Sequence, residues 1–161
     1  TQDMLRALEE NQLDVALVTL PVPGRMFQVT PILEDDVVAL FPARDAPLGA
    51  HVTPAQLSKL PMVVYEPGAH TRRVIDDWFR KAGYVLKPVM ELGSIEAIKE
   101  LVGAGLGCTM LPAMALSAPR RRAPVVSKAL SPRLSRKLAL VLRRDKPMQR
   151  GLREVVAALK Q

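Results

Sequence analysis

Leu13-Asp14-Val15-Ala16-Leu17-Val18-Thr19-Leu20 is a near-continuous apolar run bounded by Asn11 and Pro21. A run with so little polar face suits a strand buried on both sides, as in a parallel sheet covered by helices. Helical spacing surrounds it. Leu5 and Leu8 line one side of Met4–Glu10, and Asn11 supplies a helix stop. Because helical periodicity starts at once, without an initiator Met or a signal-peptide pattern, Thr1 reads as a point inside a domain.

The same alternation continues along the chain. Gln28–Leu33 and Asp36–Phe41 read as two strands, with Glu34-Asp35-Asp36 as a solvated acidic joint between them. Thr53-Pro54-Ala55-Gln56 has the pattern of a capping box with proline at the first helical position, and Pro61 keeps that helix short. Met62–Tyr65 is a compact strand, and a helix follows from about Arg72 with Val74, Ile75, Trp78 and Phe79 on one face. Val85–Leu92 is the next strand. Ser94 caps a helix striped by Ile95, Ile98, Leu101 and Val102. Gly107–Leu111 is a short strand and Pro112–Leu116 a short helix; Val125–Leu130 and Lys137–Arg144 are strands, and Met148–Lys160 closes the chain as an amphipathic helix. Strands alternating with helices predict an α/β fold with largely parallel sheets. The two consecutive strand pairs predict two lobes joined twice, with the first and last segments sharing one of them.

Composition removes several function classes. No apolar stretch approaches the roughly 20 residues of a membrane-spanning helix. One cysteine and two histidines leave little material for a transition-metal site or an internal disulfide. Residues 1–116 carry ten Lys and Arg against fourteen Asp and Glu, a net of −4, whereas residues 117–161 carry thirteen against two, a net of +11. That basic third, including Arg120-Arg121-Arg122, contains no aromatic residue on which bases could stack, so it reads as solvated surface rather than a nucleic-acid platform. Gly103-Ala104-Gly105-Leu106-Gly107 follows a helix and opens a strand, the reverse of a dinucleotide fingerprint, and reads as a glycine-rich helix exit. No Gly-x-Ser-x-Gly setting is present, and Cys108 reads as a small buried hydrophobe. An enzyme is therefore not expected, and no cofactor or metal is called for.

Binding has better support. Gly68-Ala69-His70-Thr71 and Gly93-Ser94 each stand between a strand and a helix, where free N–H groups and helix dipoles favour anions. Ordinary helix capping accounts for Thr71 equally well and is the favoured reading of Ser94.

The order of four segments resembles the effector-binding domain of LysR-type transcriptional regulators. They are Thr1-Gln2-Asp3-Met4-Leu5 through Asn11-Gln12-Leu13-Asp14-Val15-Ala16-Leu17-Val18; Glu66-Pro67-Gly68-Ala69-His70-Thr71-Arg72-Arg73; Gly93-Ser94-Ile95-Glu96 through Gly103-Ala104-Gly105-Leu106-Gly107 to Leu111-Pro112; and Leu138–Arg144. The likeness covers essentially the whole chain. It implies two Rossmann-like lobes of the type 2 periplasmic-binding-protein kind, with residues 1–33 and 131–161 forming an incomplete first lobe and residues 34–130 the second. It also implies a cytoplasmic protein that binds a small-molecule effector between its lobes, anionic in the reading favoured by the helix starts. The implied partners are copies of itself, as a dimer or tetramer, and promoter DNA held by an N-terminal winged helix-turn-helix outside this chain. Carried over by position, the effector-binding residues are Thr1, Thr19, Pro21, Gly68, Ala69, His70, Thr71 and Ser94. A periplasmic solute-binding receptor of a transporter, built on the same two-lobed plan, is the alternative.

Overall fold

The computed structural model describes residues 2–116 and 125–159; Thr1 and Arg120-Arg121-Arg122 lie outside the described residues. In chain order the elements are α1 (Gln2–Glu9), β1 (Ala16–Thr19), β2 (Phe27–Pro42), β3 (His51–Val52), α2 (Pro54–Leu57), β4 (Val63–Tyr65), α3 (His70–Lys81), β5 (Met90–Leu92), α4 (Ile95–Gly103), β6 (Thr109–Pro112), β7 (Val125–Leu130), β8 (Ser135–Arg143) and α5 (Arg150–Ala158). Single 3-10 turns at Ala43–Asp45 and Ala113–Leu116 follow β2 and β6.

The chain divides into two compact units, Thr1–Glu34 with Lys137–Gln161, and Asp35–Arg136. It passes from one to the other within β2 and again within β8. In the first unit β1 pairs antiparallel with β8, Ala16 opposite Val141 and Thr19 opposite Leu138. Leu5 and Leu8 of α1 pack with Ala16, Val18, Phe27 and Val141, while Val156 of α5 packs with Leu140 and Leu142. Asn11 ends α1 at φ 60°, a left-handed turn that Asn tolerates well.

The second unit has the larger core, in which Phe41, Leu57, Val63, Val64, Ile75, Phe79, Ile98 and Leu111 are fully buried. Here β4 and β5 run parallel with Tyr65 opposite Leu92, and β3 runs parallel to β7. A parallel bridge sets Met62 against Cys108 and so places β6 alongside β4. The pairings of β2 with β6 and β7 are antiparallel. The sheets are thus mixed rather than largely parallel. The antiparallel pairs involve β2 and β8, the two strands in which the chain passes between the units.

Two local expectations are corrected. Gln28–Leu33 and Asp36–Phe41 merge into the single sixteen-residue β2, because Glu34-Asp35-Asp36 contains no turn-forming Gly or Asn and its central residue, Asp35, is buried. Asp35 is only 4% exposed. Arg136 donates to its Oδ2 from Nε and Nη2 at 3.1 and 2.9 Å, and the Met114 amide donates to Oδ1 at 3.2 Å. The strand expected over Val85–Leu92 contracts to Met90–Leu92, since Pro88 has no N–H for a ladder.

The capping box forms as its sequence pattern requires. Thr53 Oγ1 accepts from the Gln56 amide at 3.3 Å, and the Thr53 amide donates to Gln56 Oε1 at 2.9 Å. Thr53→Ala removes one of these two bonds and is expected to cost about 1 kcal/mol. Urea unfolding checks this through a lower midpoint at unchanged slope; an unmoved midpoint contradicts it.

Candidate functional site

The parallel pair β4–β5 ends at Tyr65 and Leu92, and from that carboxyl edge the chain enters α3 and α4. The Glu66 amide donates to Leu92 O at 3.0 Å, so the two exits are held side by side. Arg72 braces the edge from within α3: it donates to Tyr65 O at 2.8 Å, to Glu91 Oε1 at 2.6 Å and to Asp76 Oδ1 at 3.0 Å. These bonds to three elements hold the loop Glu66–Ala69 on rigid supports.

The two helix starts differ. Ser94 Oγ accepts from the Ala97 amide at 3.4 Å, so α4 carries a side-chain cap. Glu66 also faces this start: a Cβ on Gly93 would stand 3.0 Å from Glu66 Oε1. The glycine leaves room for that carboxylate, which in turn disfavours a second anion there. The start of α3 is different. Its N-cap is Ala69, which has no side-chain acceptor to offer. Gly68, at φ 97°, takes a turn that side chains avoid, and Thr71 in the first helical turn is 9% exposed. With no side-chain cap there, the helix dipole makes this the end of the edge where an anion is favoured.

Gly68, Ala69, His70, Thr71 and Ser94 therefore share one edge of one unit, with Ser94 occupied as a cap. Thr19 and Pro21 stand at the end of β1 in the other unit, Thr19 buried and Pro21 exposed. Thr1 lies outside the described residues. Tyr65 is 6% exposed, and burial pushes its hydroxyl up to about 12, with Arg136 acting in the opposite direction and Asp35 in the same one. Cys108 is 2% exposed, and burial pushes its thiol up to about 12, consistent with an inert buried side chain. Among the described residues no group of three potential metal ligands is found.

A family model described as "LysR substrate binding domain" matches residues 1–161. The chain belongs to the LysR substrate-binding domain family. Its relatives are named as transcriptional regulators rather than as transport receptors or enzymes, which removes the solute-receptor alternative. The RuBisCO operon transcriptional regulator of Acidithiobacillus ferrooxidans is 34% identical over 117 residues, 71% of this chain and 38% of that protein. An HTH-type transcriptional regulator of Escherichia coli K12, YeiE, is 30% identical over 155 residues, 95% of this chain and 53% of its own length. The chain thus spans about half or less of the length of these relatives.

Solved structures agree in fold. The CcmR regulatory domain of Synechocystis PCC6803, determined in complex with 2-PG, superposes with a TM-score of 0.87 at 20% identity, over 98% of this chain and 77% of that one. The C-terminal domain of a probable LysR family regulator from Rhodococcus sp. RHA1 gives 0.85 at 24% identity, over 100% of this chain and 80% of the other. The α/β architecture of LysR regulatory domains is therefore that of this chain. No helix among the described residues is long and apolar enough to cross a membrane.

Proposed function

We propose that this LysR domain senses a small anionic molecule, and that the start of α3 is where its second unit recognises the acidic group. The observation that carries this reading is the helix start left without a side-chain cap at Ala69, with Thr71 buried in its first turn. Backbone N–H groups there can donate to a carboxylate or phosphate, and the Thr71 hydroxyl adds a donor. On this reading the two compact units are the two lobes implied by the family. The domain senses and does not catalyse. It regulates transcription from the cytoplasm within an oligomer whose promoter contacts come from a helix-turn-helix elsewhere in the protein. The relatives' names as HTH-type regulators support this.

One relative points elsewhere. A probable hydrogen peroxide-inducible genes activator of Mycobacterium avium is 27% identical over 99% of this chain. Thiol sensing needs an accessible thiolate. Cys108 is the chain's one cysteine and is buried with its thiol held protonated. A metabolite effector is favoured over peroxide for that reason.

Two experiments test the proposal. Thr71→Ala in the full protein is expected to weaken effector binding about tenfold or more, the worth of one hydrogen bond to a charged group, with the ligand-free melting temperature nearly unchanged. Undiminished effector stabilisation in that variant removes Thr71 from the site. Reading the coding DNA upstream of Thr1 tests the wider assignment. A helix-turn-helix followed by a linker helix is expected, and a secretion signal with a cleavage site would overturn it.

A further inference from the structure

The C-terminal half of α3 and the turn between β7 and β8 enclose a cavity of about 590 Å³ that the effector reading does not use. Its walls all belong to the second unit. Val74, Trp78 and Lys81 line it from the helix, at the three- and four-residue spacing that puts side chains on one face. Pro132, Arg133 and Leu134 line it from the turn. A volume of that order suits a small organic ligand.

The walls are braced from both sides. Trp78 Nε1–H donates to Pro132 O at 2.8 Å, which ties the helix to the turn. The indole meets Phe79 edge to face, with ring centroids 5.2 Å apart. On the far side the turn is held to β2. Arg133 Nε donates to Asp36 Oδ1 at 2.8 Å, and the Val37 amide donates to Leu134 O at 2.8 Å. Side chains held in this way form the cavity in advance of a ligand.

Its chemistry is apolar within and cationic around the edge. The indole N–H is spent on Pro132, so Trp78 joins Val74, Pro132 and Leu134 in offering apolar surface. Asp77 also lines the cavity, and Arg80 of the same helix pairs with it. Lys81 is exposed and makes no ion pair among the described residues. Arg133 adds a second cation, shared with Asp36. Arg80 and Lys81 both stand in the last turn of α3, where they offset the partial negative charge of the helix end. The excess charge at the cavity is therefore positive.

We propose that this cavity is a second small-molecule site that takes a flat apolar acid, its ring against Trp78 and Leu134 and its carboxylate on Lys81. The site lies at the opposite end of α3 from Gly68–Thr71, and it stands independently of the effector reading.

2-Naphthoate serves as the probe, with 2-naphthamide as its neutral counterpart. In the full protein, titration with 2-naphthoate is expected to move the Trp78 indole N–H signal and the amides of Lys81 and Leu134 saturably. Lys81→Glu, a change at an exposed side chain, is expected to weaken that binding by about threefold or more while leaving the fold intact. 2-Naphthamide is expected to bind the wild type more weakly than the acid by a similar factor. No saturable shift at Trp78 overturns the proposal. Shifts centred on Gly68–Thr71 overturn it too, because they place the probe at the start of α3. Equal affinity for acid and amide, or for wild type and Lys81→Glu, shows that the cavity does not select an anion and has the same consequence.

Discussion

Arg136→Met is expected to lower the melting temperature by roughly 6–20 °C. Among the described residues the substitution leaves the Asp35 carboxylate, 4% exposed, with the Met114 amide at 3.2 Å as its remaining donor. Removing one member of a buried ion pair costs about 3–5 kcal/mol, because the remaining charge stays desolvated and unmatched. In a domain of this size each kcal/mol shifts the transition by about 2–4 °C. The double variant Asp35→Asn, Arg136→Met carries no lone charge and is expected to recover part of the loss. Thermal denaturation followed by circular dichroism of wild type, Arg136→Met, Asp35→Asn alone and the double variant gives the coupling directly. Equal melting temperatures for wild type and Arg136→Met would mean that the pair is solvated.

Gly107→Ala is expected to be comparably severe, at about 2–5 kcal/mol, from two independent sources. Gly107 has φ 140°, which an L side chain rarely adopts, and a Cβ there would stand 2.3 Å from the Pro61 carbonyl oxygen. That oxygen cannot move aside freely, because it accepts from the Cys108 amide at 2.9 Å at the register-setting bridge. Gly83→Ala isolates the backbone part. Gly83 has φ 81° with nothing within 4 Å of the added methyl group, so about 1–2 kcal/mol is expected. Denaturant unfolding of both variants should separate them by at least 1 kcal/mol. Equal losses would show that the contact with Pro61 relaxes at little cost.

Features encoded by neighbouring residues could be read from sequence. The capping box at Thr53, the stop at Asn11, the Ser94 cap and the strand Val125–Leu130 each depend on residues a few positions apart. The glycines at 105 and 107 were correctly read as a helix exit for the same reason. What escaped was non-local. Asp35 meets Arg136 across 101 positions, and that partner turns three acidic residues from a joint into strand interior. Mixed pairing escaped as well, since strand direction follows from where β2 and β8 lie rather than from their composition. At the candidate site Gly68–Thr71 was legible because glycine between a strand and a helix has few other uses. Tyr65 in its apolar strand reads as core, and the structure adds that its hydroxyl is buried without an acceptor.

Amide chemical-shift mapping of the full protein tests most directly whether the carboxyl edge of β4–β5 receives an anionic effector. Titration with 2-PG, phosphate or glycolate should move the amides of Gly68, Ala69, His70 and Thr71 first and furthest. Shifts centred elsewhere, for example around Cys108, or no saturable shift with any of the three, would contradict the account.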